Sequence, residues 1–159
     1  VLNVFRMYGM MSGNRVKVAN VNELSLDSIL KNSVHGNSPD VHALASADKG
    51  SVSVMVWHYH DVDVPKEDVL ISITVKNIPA GKILMSHYRI DKGHSNSYEL
   101  WKKMGSPQDV SDDQYKQLEK AGQLTLLKSP EWITVREGEA AVHFSLPSQG
   151  VSLLRFIHN

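Results

Sequence analysis

His58 and His60 are two positions apart in a run of β-branched and aromatic residues, so on an extended strand both imidazoles point to the same face, with Asp61 and Asp63 directly after them. Imidazoles beside carboxylates are donor types for zinc or copper, but a third ligand would have to come from elsewhere in the fold. The same spacing also suits a strand end whose histidines hydrogen-bond their surroundings, so no metal or other cofactor is assigned. His35, His42, His87, His94, His143 and His158 are dispersed, and His143, between Val142 and Phe144, belongs on the outer face of its strand.

Other chemistries find less. There is no G-x-S-x-G for a serine nucleophile, no phosphate loop, no G-x-G-x-x-G and no EF-hand pattern. The chain has no cysteine, which removes thiolate nucleophiles, thiolate metal sites and disulfides. Glycoside hydrolysis needs two carboxylates across a cleft. Of the 17 acidic residues, Asp48, Asp61, Asp112, Asp113 and Glu137 sit in turns or helix starts, where solvation or capping accounts for them. No catalytic residue is assigned. Trp57, Trp101, Trp132, Tyr59, Tyr88 and Tyr98 are flat enough to stack on sugars. Core packing is expected for Trp57, Trp132 and Phe144, and exposure for Trp101.

The elements that must position these groups are mostly strands, with one long departure at residues 87–124. Its first helix starts near Asn96, a capping residue with Glu99 three positions on, and ends at Gly105. The second starts with Ser111 and Gln114 as a capping box, with Val110 placed to staple against Tyr115, and ends at Gly122. Tyr115, Leu118 and Ala121 share one face at helical spacing, so this helix is expected to lie on an apolar surface.

Residues 1–11 (VLNVFRMYGMM) put Val1, Val4, Phe5, Tyr8 and Met11 on one helical face, yet Leu2, Met7 and Met10 populate the others. Such a helix wants cover on more than one side. It is either a core helix of this domain or one whose other wall is supplied by a larger neighbour. Ser12, Gly13 and Asn14 break it, and residues 15–21 alternate as a strand with Val16 and Val18 inward. Ser25 caps a turn carrying Leu26, Ile29 and Leu30.

From residue 41 the chain is a succession of strands. Residues 41–47 and 52–60 form a hairpin around Asp48, Lys49 and Gly50, with the glycine available for a positive φ. The second arm is apolar on both faces, as in a central strand. Residues 69–76 alternate strictly; 78–81 turn the chain into 82–90; and 125–127, 132–136, 140–146 and 151–158 follow the excursion. Seven to nine short strands predict a mainly β fold, an antiparallel β-sandwich with an N-terminal helix and a two-helix excursion.

At 159 residues one domain suffices. Formal charge is zero, which gives no overall electrostatic case for nucleic acid or an acidic membrane surface. No apolar run reaches the length of a membrane span, and no signal peptide pattern opens the chain. It begins with Val1 rather than Met, as a processed product or an internal fragment would.

VLNVFRMYGMM, DVHALAS, VWHYHD and above all HYRIDKGHSNSYELWKKMGSP with QYKQLEKAGQL resemble the C-terminal part of family-39 glycoside hydrolases, the bacterial β-xylosidases related to α-L-iduronidase. The resemblance implies a retaining enzyme with a catalytic (β/α)8 barrel and an accessory β-sandwich. On this view residues 1–13 correspond to the last barrel helix and 14–159 to the accessory domain, with its excursion at 91–122. The family's acid/base glutamate sits in Asn-Glu-Pro, whereas Asn22 and Glu23 are followed by Leu24. A barrel takes about 250 residues, more than this chain can hold beside a sandwich. The catalytic barrel is thus the expected partner, and neighbouring subunits are a further one. Phe5, Tyr8, Tyr98 and Trp101 are the expected interface residues, and the compartment stays open between bacterial cytoplasm, periplasm and secretion.

Overall fold

Strict alternation builds the smaller of two sheets. In β4 (Val69–Lys76), Ile71 and Val75 are buried while Ser72, Thr74 and Lys76 face water, and β4 pairs antiparallel with β7 (Glu139–Leu146). The computed structural model describes residues 1–21, 23–35, 39–62, 67–79 and 81–158. Asn22, Asp63 and Ala80 of the 78–81 turn lie outside the described residues.

The larger sheet has six antiparallel strands in the order β1 (Asn14–Val16), β2 (Asp40–Ala47), β3 (Ser51–Tyr59), β8 (Gly150–Ile157), β5 (Gly81–Ile90) and β6 (Glu131–Val135). Its inner face packs on the small sheet through one core that includes Val54, Val56, Met85, Leu154 and Phe156 against Ile71, Val142 and Leu146. The fold is therefore the expected antiparallel sandwich, with eight strands among the described residues.

The outer face of the large sheet is covered by α1 (Leu2–Met10), whose Met7 is fully buried on Met55 and Leu153. Burying a side chain of that size stabilises by about 1.5–3 kcal/mol. The most buried residues of α1 are Asn3 and Met7; of the Val1, Val4, Phe5, Tyr8 and Met11 face, Val4 and Met11 are half-buried while Val1, Phe5 and Tyr8 are exposed. Gly13 then turns the chain into β1 at φ +79°, where an added Cβ would stand 2.0 Å from the Ala47 carbonyl oxygen.

Several local expectations are corrected. The strand at 15–21 shortens to Asn14–Val16 with Val16 exposed, although Val18 packs on the core. The β2–β3 turn does not place Gly50 at positive φ; Asp48 holds it instead, its Oδ1 accepting the N–H groups of Gly50 and Ser51. Residues 125–127 make only an isolated bridge, between Leu126 and Tyr88, with no strand of their own. Short α2 (Leu26–Asn32) forms with the expected Ser25 cap. Among the described residues no helix is long and apolar enough to cross a membrane.

Candidate docking interface

The excursion forms α3 (Ser97–Lys103) and α4 (Asp112–Ala121), each started by its predicted cap. Asn96 Oδ1 accepts the Tyr98 N–H, and the Ser111–Gln114 box is complete. Glu99 does not reach back to Asn96; it pairs with Lys102 at 2.7 Å. On α4, Leu118 and Ala121 are half-buried but Tyr115 is 59% exposed, so the apolar contact is narrower than the spacing suggested.

Of the four expected interface residues, Phe5 (66% exposed) and Tyr8 (47%) stand on the solvent side of α1. Tyr98 and Trp101 come together on α3, their rings stacked at 5.7 Å. Trp101 is half-buried, and its Nε1 donates to the Pro107 carbonyl at 3.0 Å, closing the link between the helices. The most exposed tryptophan is instead Trp132, on edge strand β6, at 61%. The expectation that Trp132 is core fails because its side chain falls on the outer face of the large sheet, opposite the packed Ile133. Phe144 does pack on the core.

Helix and excursion are joined by Asn3. Its Nδ2 donates to the carbonyls of Ser95 (2.7 Å) and Gly122 (2.9 Å), the two ends of the excursion, and its Oδ1 accepts from Arg6. A groove beside α1 is lined by Val4, Tyr8, Met55, Trp57, Tyr59 and Val151.

Beneath the excursion lies a buried polar layer that sequence analysis missed. Arg89 is sealed inside the sandwich, donating from Nε to Ser152 Oγ (2.7 Å) and from Nη2 to the Ser145 carbonyl, with Asp91 Oδ2 3.5 Å from Nη1. Asp91 Oδ1 also accepts from Gly93 N–H and faces His94 Nδ1 at 2.8 Å, so this carboxylate fixes the first turn of the excursion. Burial opposes ionisation of Asp91, but His94, the Gly93 N–H and Arg89 outweigh it and hold the group below its ordinary range. His87 lies edge-on to Phe144 and 2.9 Å from Ser152; burial, then the Arg89 charge, push its pKa down to about 4. The available signal was the strand HYRI, whose alternation sends Tyr88 and Ile90 outward and so must send His87 and Arg89 into the core.

His58 and His60 are both buried. His58 Nδ1 donates to the Leu146 carbonyl and His60 Nδ1 accepts from Val62 N–H. Among the described residues no group of three or more His, Asp or Glu gathers as metal ligands, and Asp61 is engaged by the Val34 N–H and His35. Glu23 is 2.8 Å from His42 Nε2.

Residues 1–130 match the family described as "Glycosyl hydrolases family 39". The chain belongs to that family. Among solved structures, the family-39 domain is similar in fold to the GH39 enzyme from Xanthomonas axonopodis pv. citri, with 21% identity, a TM-score of 0.66, and 74% of this chain and 26% of that chain covered. A monomeric beta-xylosidase from Caulobacter crescentus CB15 gives 19% identity and a TM-score of 0.59, with 73% and 26% covered. The bacterial orthologue of human α-L-iduronidase gives 18% and 0.59, with 77% and 23% covered. The family-39 domain thus spans about a quarter of the length of these solved relatives. None of the curated proteins matches it.

Proposed function

We propose that this family-39 chain is the non-catalytic accessory sandwich of a retaining β-xylosidase, packed on the catalytic (β/α)8 barrel of the same parent. There it supports stability, the active-site rim or assembly. The parent hydrolyses β-xylosides released in the breakdown of xylan-derived oligosaccharides. The observation that carries this reading is α1: Met7 and Asn3 anchor one side to the sandwich, while Val1, Leu2 and Phe5 are 98%, 64% and 66% exposed on the other. Three exposed apolar side chains on one short helix support docking there. In family terms the missing wall is the barrel. The excursion, rooted at Asp91 and tied to α1 by Asn3, offers exposed Tyr98, backed by the half-buried Trp101, to the same partner.

Incubation of the 159-residue chain with a chromogenic β-xyloside should give the buffer rate. Turnover that survives repurification and disappears on replacing one of its acidic residues would overturn the proposal. A second reading, an independent carbohydrate-binding module, gains from the exposure of Trp132. Titrating the chain with xylo-oligosaccharides while recording tryptophan fluorescence separates the two, since the accessory reading expects no saturable change.

A further inference from the structure

We infer that the outer face of the large sheet carries a second docking patch beside α1, built on Arg155 and Trp132, and that its occupant is an apolar, carboxylate-bearing segment of the rest of the parent chain. The inference rests on the accessory reading above and names a surface that α1 does not include.

Strand register places the patch. Leu44, Met55, Leu153 and Tyr88 form one row across the outer face, and this row belongs to the cluster under Met7. Two residues further along the strands the row is polar: Ser46, Ser53, Arg155 and Ser86. The next row is Ser51, Ile157, Leu84 and Trp132. Here α1 no longer covers the sheet, for Trp132 is 61% and Ile157 37% exposed, with Leu126 nearby at 38%.

Charge decides what kind of surface this is. Among the described residues no carboxylate pairs with Arg155, and its Nε is shut off from solvent without an acceptor. Ser46 Oγ and Ser53 Oγ, its neighbours in the row, are likewise enclosed and unpartnered. A half-buried guanidinium bordered by aliphatic side chains is best answered by a carboxylate, which accepts its fork of donors and neutralises it. Tryptophan, arginine and aliphatic residues together are also the composition of the energetic centre of protein interfaces. Solved family members are about three times the length of this chain, so a partner segment is at hand in the parent.

Hydroxyl-radical footprinting read by mass spectrometry, on this chain and on the full-length parent, tests the inference. Oxidation of Trp132 should be severalfold slower in the parent, and Arg155→Glu in the parent should return it toward the rate of the shorter chain, while Arg155→Lys should not. Protection of Phe5 and Tyr8 with no protection of Trp132 would overturn this inference and leave the accessory reading intact. If Phe5 and Tyr8 are also unprotected, both fall. Protection of Trp132 that persists in Arg155→Glu, or that appears in the shorter chain on adding xylo-oligosaccharide, would remove the carboxylate partner.

Discussion

Asn3 and Ser95, 92 positions apart, are joined by a 2.7 Å hydrogen bond from the Asn3 amide to the Ser95 carbonyl. Through it the first helix holds the opening of the excursion, and the second bond, to Gly122, holds its close. Asn3→Ala removes both bonds and should cost about 1–3 kcal/mol in urea unfolding, since the buried Ser95 carbonyl loses its partner and Gly122 keeps only Arg6 at 3.4 Å. Asn3→Asp should cost more, because a carboxylate would face two carbonyl oxygens. Wild-type stability in either variant would mean that helix and excursion are not coupled.

The two sides of α1 should respond in opposite ways. Met7→Ala opens a cavity against Met55 and Leu153, with an expected loss of about 2–5 kcal/mol. Phe5→Glu and Tyr8→Glu alter exposed positions and should change stability by no more than about 0.5 kcal/mol while lowering self-association in sedimentation velocity. A large loss of stability from Phe5→Glu would show that the solvent side of α1 is already used within the domain.

Local chemistry was the most legible part of this fold. Ser111 with Gln114, Asn96 and Ser25 announce helices because a cap needs only neighbours in sequence. The β2–β3 and β4 alternations were equally readable. The orientation of α1 was not, because apolar residues surround the whole helix, and its choice of Met7 over Phe5 is made by Asn3 and the distant carbonyls it bonds. Trp132 and Trp101 were exchanged for a similar reason. An edge strand leaves one face open that pattern alone treats as core, while the half-burial of Trp101 depends on a carbonyl in the following loop. The polar layer around Arg89 needs β5 and β8 in register and β7 of the facing sheet packed on them.

One imidazole and one carboxyl group give acid sensitivity in sequence. The folded chain refuses a proton at His87 until about pH 4, whereas the unfolded chain accepts one near the ordinary 6.5. Stability therefore falls as pH drops through that window, by on the order of 3 kcal/mol, with no further loss from this group below it. Asp91 is lowered from 3.8, so its contribution is complete above that value and drains away as pH falls through its folded pKa. Urea midpoints measured across this range should fall in two stages, and His87→Gln should flatten the first. A slope unchanged in His87→Gln would place the titrating group elsewhere.

On α3 the stacked pair should divide into one packing residue and one contact residue. Trp101→Phe keeps a ring but loses the bond to Pro107, at a cost of about 1 kcal/mol. Tyr98, 58% exposed, should tolerate alanine within about 0.5 kcal/mol, yet Tyr98→Ala in the parent enzyme should change kcat/KM or assembly. Unaltered kinetics and assembly would leave the excursion a packing role only.

Strand β8 lies between β3 and β5, so residues 150–157 are the seam of the large sheet. Until they emerge from the ribosome, β1–β2–β3 and β5–β6 are separate ribbons with unpaired edges, and the bed on which Met7 rests lacks Leu153. Both edges therefore stay open until β8, the last of the described strands, pairs with them, and such late, non-local pairing leaves the nascent chain open to misassembly.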